Sequence, residues 1–377
     1  MHAPEHHGWT RRRFLRGLGA TAAVSWGGAM SLEPAVAATG DLPRKDGRPF
    51  ESHPGLDTIP GTLRTRDGTR LRTITTKPAG SRQRLPAVLF LQPLSDTTIE
   101  LPDSEDDGWA RMTKRVARES GLVMMRTEKR GVGDSEGGPC SKLDYLTELS
   151  DHRDALAQLG RSEFVDPRRI VVFGASMGGN YAPLVAADQR VAGVLTWGGG
   201  ARTWFERMMA FERNRRELSD LPADRINREM KQVEAFLHAY LVEGKSPKRI
   251  AQEDAALGAA SSQILGLEGD TQYGRPAAFH QQAQAQDWTA AWGNVDAPAL
   301  ALFGEYDWFE DAAGSALSAR IVARRHPERT RFKLIARTDH HFTRFERPED
   351  AVKGTGGKVD EGPAVAEILG WLKSLAT

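Results

Sequence analysis

The chain has little cysteine: Cys140 is the only one in 377 residues, so no internal disulfide can form. Charge of one sign is also missing, since 51 Lys and Arg stand against 50 Asp and Glu for a formal net charge of +1. Apart from Arg11 to Arg16, the basic residues are scattered or sit in short pairs such as Arg324-Arg325 that read as solvated helix faces. No nucleic-acid footprint results, and no nucleic-acid partner is expected. There is no internal repeat, no heptad array and no long low-complexity segment. A long apolar run is lacking too. The uncharged stretch from Gly17 to Leu32 falls short of the roughly 20 apolar residues a membrane span needs, and Gly19, Ser25, Gly27 and Gly28 dilute it, so no stable membrane anchor is expected.

That stretch has another reading. Thr10-Arg11-Arg12-Arg13-Phe14-Leu15-Arg16 precedes it and Ala35-Val36-Ala37 follows it, the order of a basic region, an apolar region and an A-x-A cleavage site. The paired arginines before Phe-Leu resemble a twin-arginine export signal. Residues 1–37 are therefore expected to be a signal peptide, cleaved after Ala37 or Ala38, with the twin-arginine export machinery as the precursor's partner and a periplasmic or secreted mature protein. Such substrates cross the membrane folded, which agrees with a chain that needs no periplasmic oxidation. Residues 38–60, rich in Pro, Gly and charge, read as a loose leader.

The remaining chain alternates strand and helix signals. Asp67-Gly68 lies between β-compatible runs in Leu63 to Thr76, a hairpin signal. Ala87 to Leu91 is short and wholly apolar, as a strand buried on both faces of a parallel sheet must be. Helices are predicted over Asp106 to Glu119, Leu143 to Leu159 and Ala364 to Leu375, and strands over Leu122 to Arg126, from Ile170, and over Val191 to Trp197, Ala299 to Phe303 and Arg331 to Ile335. This order predicts an α/β fold with a mostly parallel central sheet covered by helices on both faces. Between Trp197 and Ala299 lie about 100 residues, too many for one crossover helix. Ile226, Met230, Val233, Leu237 and Tyr240 repeat at helical spacing there, and Trp204, Phe205, Met208, Met209 and Phe211 form a second stripe. The stripes are expected to pack on each other in an inserted helical cap, residues 200–290. The cap divides a core of 61–199 and 291–377 and overhangs the carboxyl edge of the sheet, where ligands of such folds bind.

The most informative segment is Ile170-Val171-Val172-Phe173-Gly174-Ala175-Ser176-Met177-Gly178, an apolar strand breaking into G-x-S-x-G. This pattern puts a serine on a strained strand-to-helix turn, its hydroxyl exposed and its flanks nearly free of side chain. A serine hydroxyl needs a base, and the base needs an orienting carboxylate. Asp307 follows the strand that begins at Ala299, and Asp339-His340-His341 follows the strand that ends at Ile335, giving the chain order Ser, Asp, His expected of an elbow nucleophile. Glu305, Glu310 and Asp311 compete with Asp307, which is favoured by the few residues a turn needs to reach over the sheet edge. His340 is favoured as base with His341 as alternate, and Asp339 reads as a loop-fixing acceptor. The oxyanion donors are expected to be the backbone N–H of Met177, directly after the nucleophile, and that of Leu94, since Pro93 has none.

On these residues the chain, from about Asp67 to Leu375, resembles the α/β-hydrolase superfamily. Arg126-Thr127-Glu128-Lys129-Arg130-Gly131-Val132-Gly133-Asp134-Ser135-Glu136-Gly137 is similar to the G-x-G-x-S-x-G loop after the fourth strand of many serine esterases and acylaminopeptidase-like members. It does not open a helix as a dinucleotide fingerprint would. The resemblance implies acyl transfer without cofactor or metal, acting on a small-molecule or short acyl or peptidyl substrate, with Ser176, Asp307 and His340 as the catalytic residues. A serine at 176 stands where alkyl-enzyme dehalogenases carry aspartate and dienelactone-hydrolase types carry cysteine. Pro93 departs from the His-Gly pair common after the third strand of lipases. Ester is preferred over peptide as substrate. The rival from another class is a ligand-binding protein of the same fold without catalysis, against which an intact triad argues.

Overall fold

The computed structural model describes residues 41–101, 104–261, 264 and 266–375. The expected signal at 1–37 lies outside them. Two strands, β1 (Leu56–Arg64) and β2 (Arg70–Pro78), pair antiparallel in register from Leu56 with Pro78 to Arg64 with Arg70. They close at Asp67-Gly68, where Gly68 takes φ 89° and Asp67 Oδ1 accepts from the Thr69 amide at 3.1 Å. The sheet continues with β3 (Leu85–Leu91), β4 (Val123–Thr127), β5 (Val165–Ala175), β6 (Gly193–Trp197) and the strands Ala299–Gly304 and Arg331–Ile335. Its spatial order is β1, β2, β4, β3, β5, β6, then Ala299–Gly304 and Arg331–Ile335. β2 runs antiparallel to β4, and every pairing from β4 to the far edge is parallel.

Period-two alternation explains why both faces are covered. In β5, Ile170 and Val172 join one apolar cluster while Val171, Phe173 and Ala175 join another, and β3 divides the same way between Ala87, Leu89, Leu91 and Val88, Phe90. Helices α1 (Gly108–Glu119) and Gly362–Leu375 supply Met112, Val116, Val365, Ile368 and Trp371 to the second face. Helices α2 (Tyr145–Gly160) and α3 (Met177–Asp188) cover the first with Leu149, Leu156, Tyr181 and Val185.

The residues between β6 and Ala299 begin with α4 (Trp204–Glu217), whose Thr203 and Glu206 form a reciprocal capping box, and α5 (Ala223–Leu237). These two helices pack on each other. Further helices follow at Pro247–Glu253, capped by Ser246, and at Ala255–Ser261, Ala277–Gln284 and Trp288–Asn294. Three two-residue strands, Leu267–Glu268, Thr271–Gln272 and Arg275–Pro276, carried no sequence signal.

The expectation of a loose leader does not hold for the described part of residues 38–60. Leu42 is buried, β1 already begins at Leu56, and the Glu51 carboxylate pairs with the buried Arg126 guanidinium of β4 while accepting from the Leu101 amide at 2.7 Å. Arg44 Nη2 also donates to Glu100 Oε2 at 2.8 Å. The segment is held by partners far along the chain, which its polar composition does not reveal. The Gly-rich loop at 126–137 leads into a short 3₁₀ turn, Cys140–Lys142, rather than a phosphate-facing helix. Glu128 ties it down, accepting from Thr98 Oγ1 at 2.6 Å and the Asp134 amide at 3.2 Å. Among the described residues no helix is long and apolar enough to cross a membrane, and no cluster of His, Cys, Asp or Glu fit to hold a metal ion occurs.

Candidate active site

The strand register lines up one edge. Leu91 pairs with Gly174, Ala175 with Trp197, Leu302 with Trp197, and Gly304 with Ile335, so the loops after all five strands leave the sheet side by side. Ser176 emerges there with φ 54° and ψ −115°, a positive-φ conformation rare for a residue with a Cβ, and stands at the N-cap position of α3 without a capping bond from its side chain. Its flanks explain the glycines. A Cβ on Gly174 would lie 2.2 Å from the Gly178 carbonyl oxygen, and one on Gly178 would lie 2.2 Å from that of Leu91.

The loops after the last two strands are laced together. The Glu305 amide donates to Ile335 O and the Tyr306 amide to Thr338 O, both at 2.9 Å. Asp307 and His340 meet as a result: His340 Nδ1 and Asp307 Oδ2 are 2.7 Å apart, and both residues are buried. Asp307 Oδ1 accepts from the amides of Phe309 at 2.9 Å and Glu310 at 3.2 Å, which fixes the carboxylate's orientation. The His340 carbonyl accepts from Trp197 Nε1 at 3.1 Å, and the rings of Trp109 and Phe309 flank the imidazole at 5.6 and 5.4 Å between centroids. Burial opposes charge on that imidazole, but the carboxylates of Asp307 and Glu310 outweigh it and hold its pKa above the ordinary value.

The other sequence candidates take separate places. His341 is exposed, and its backbone amide donates to Asp339 Oδ1 at 2.9 Å. Asp339 also accepts from the Thr343 amide at 2.7 Å, and burial raises its pKa to about 7. Glu305 accepts from the Arg337 amide at 2.7 Å, and Asp311 caps the helix Ala312–Ala323 while pairing with Arg202 at 3.1 Å. Met177 is buried in the first turn of α3, and Leu94 lies in the loop after β3.

Ser176 Oγ donates to Glu310 Oε1 at 3.2 Å rather than to His340. Glu310 is buried, ion-paired with Arg207 of α4, and accepts from the Gly199 amide. Burial raises its pKa, with Arg207 and His340 pulling the other way. Arg207 also donates to Asn180 Oδ1 of α3. The sequence had offered Glu310 as an orienting acid for histidine, not as a partner of the serine. Arg207 went unnoticed, and its one available signal is a charge inside the apolar stripe of Trp204 to Phe211.

Comparison with known proteins adds a family. The profile of the alpha/beta hydrolase family matches residues 126–354. A 77-residue stretch is 36% identical to the quorum-quenching protein AidA of Acinetobacter baumannii (strain MDR-ZJ06), covering 20% of this chain and a quarter of that protein's length. Among solved structures, the chain is similar to the alpha/beta hydrolase GrgF from Penicillium sp. sh18, with TM-score 0.51 and 17% identity over 85% of this chain and 99% of that one. It is also similar to a hypothetical protein of Pseudomonas aeruginosa, with TM-score 0.50 and 16% identity over 92% and 99% of the two chains. At such identities these structures speak to the fold.

Proposed function

Because the chain belongs to the alpha/beta hydrolase family, we propose that it is an exported serine hydrolase that cleaves an ester, or less readily an amide, through an acyl-enzyme. The observation that carries this reading is the buried His340–Asp307 pair at 2.7 Å on the same sheet edge as the strained Ser176. Ser176 Oγ leaves Glu310, passes its proton to His340 Nε2 and attacks the substrate carbonyl carbon. Asp307 holds Nδ1–H, fixing the tautomer that leaves Nε2 able to accept, and stabilises the imidazolium. The negative oxygen of the tetrahedral intermediate takes hydrogen bonds from the Met177 and Leu94 amides. The imidazolium then protonates the leaving alkoxide or amine as the bond to it breaks. Water, deprotonated by His340, releases the acid and restores Ser176.

The test is covalent. A fluorophosphonate should label the mature protein at Ser176, and Ser176→Ala should abolish labelling while the melting temperature holds. Absence of labelling would leave a ligand-binding protein of this fold as the better reading. Substrate class is then sought with short and long acyl esters and aminoacyl amides. Quorum-sensing signal molecules join the panel because of the relative's quorum-quenching role. Export rests on Arg11-Arg12 and the weakly apolar stretch after them.

A further inference from the structure

Behind the loop after β3 lies a buried charge cluster with no part in the steps above. Lys129 Nζ donates to the carbonyl of Pro93 and, at 2.5 Å, to that of Ser95. Arg275 donates to the carbonyl between them, Leu94 O, from Nε at 3.3 Å and Nη2 at 3.1 Å. Three consecutive carbonyls are thus drawn toward two cations. Each cation's side chain is 1% exposed, and the two share the carboxylate of Glu148 on α2, 2.9 Å from Arg275 Nη2 and 3.8 Å from Lys129 Nζ. Asp96 is a second carboxylate close enough to act on both cations, and burial pushes the Lys129 pKa down against the pull of Glu148. Such groups are costly to bury, and apolar side chains would fill the space with less desolvation. What they supply that apolar groups cannot is direction.

That direction bears on the oxyanion. In a trans peptide, C=O and N–H point opposite ways, and none of the described peptide bonds is cis. Lys129, by holding the Pro93 carbonyl, therefore turns the Leu94 N–H away from itself. The base of the loop lies against the first turn of α3, where a Cβ on Gly178 would meet the carbonyl oxygens of Leu91 at 2.2 Å and Gln92 at 2.9 Å. We propose that Lys129 and Arg275, tied through Glu148, are positioning residues that aim the Leu94 amide at the oxyanion, so that the insertion carrying Arg275 helps set transition-state stabilisation. This rests on the reading of Ser176 as nucleophile and Leu94 as donor.

The experiment uses the mature chain with Lys129→Met, Arg275→Met and Lys129→Arg, following fluorophosphonate labelling rate, kcat and KM on an ester the unmodified protein turns over, and melting temperature. Losing an oxyanion donor typically costs about 10²–10³ in kcat. Lys129→Met should lose kcat and labelling rate within that range while KM changes little, Arg275→Met should follow in the same direction, and Lys129→Arg should recover most of the loss. Folded Met variants with kcat within about threefold of the unmodified protein would overturn the proposal, as would a loss confined to KM. If the Met variants do not fold, Lys129→Gln, whose amide keeps two N–H donors but ends one bond short of the lysine Nζ, takes their place: a kcat loss supports the clamp and full kcat refutes it. No labelling of the unmodified protein at Ser176 would instead reject the hydrolase reading itself.

Discussion

Asp307→Asn is the most incisive perturbation, because the structure dictates how the new side chain must sit. Its oxygen has to stay where Oδ1 is, accepting from the Phe309 and Glu310 amides at 2.9 and 3.2 Å, since the opposite orientation would aim the amide's own N–H groups at two backbone donors. The NH2 then occupies the Oδ2 position 2.7 Å from His340 Nδ1. A ring facing that donor must leave Nδ1 bare and carry its proton on Nε2, where it cannot accept from Ser176. Loss of the correct tautomer costs about 10⁴ in turnover, which is about 5 kcal/mol of barrier at 1.36 kcal/mol per decade. The assay is kcat on a responsive ester beside fluorophosphonate labelling rate, with melting temperature checking the fold. Turnover within about tenfold of the unmodified protein would refute the reasoning. If Glu310→Gln produced the large loss instead, the orienting carboxylate would be Glu310.

Three further outcomes are expected. The kcat/KM profile should fall in acid at a pH above the ordinary imidazole value of about 6.5, because His340 must be neutral to act; Glu310→Gln removes one of the anions raising that pKa, so its acid limb should move to lower pH, and an unmoved limb counts against Glu310's influence. Asp339, whose folded pKa is raised to about 7, binds more protons folded than unfolded between roughly pH 4 and 7, so its contribution to stability is lost as pH rises through that window. Asp339→Asn, free of that penalty, should therefore gain stability relative to the unmodified protein from pH 4 to 8, on the order of a few kcal/mol, and melting curves at both pH values check it. Replacing Arg11 and Arg12 by lysine should keep the precursor in the cytoplasm on cell fractionation, and normal export would point to a different signal.

The sheet was legible because its strands are local and two-sided: the run Ile170 to Ala175 needs no distant information to declare itself buried on both faces. The pairing of Asp307 with His340 could be anticipated because both follow such strands, and strand ends of a parallel sheet gather on one edge. Harder to see were contacts between residues far apart in sequence with no periodic signature. Glu51 finds Arg126, Arg207 finds Glu310, and Lys129 shares Glu148 with Arg275, each a single charge that reads on its own as a solvated side chain. Burying a charge depends on its partner rather than its neighbours in sequence, so composition misjudged the segment around Glu51 and passed over Arg207 within the apolar stripe of α4. The strands at Leu267–Glu268, Thr271–Gln272 and Arg275–Pro276 are too short for alternation to show.

The placement of the insertion also sets a folding problem. β6 and Ala299–Gly304 are hydrogen-bonded neighbours, yet about 100 residues separate Trp197 from Ala299. Closing a flexible loop of that length costs about 4 kcal/mol in chain entropy from the logarithmic term alone. Any helix formed within the loop before closure would shorten its effective length, and α4 and α5 are the longest helices described there. Ser176 lies before the insertion, and Asp307 and His340 lie after it. In refolding, competence to react should therefore trail the recovery of helical signal, and weakening the α4–α5 contact should slow the appearance of that competence more than it slows the first collapse.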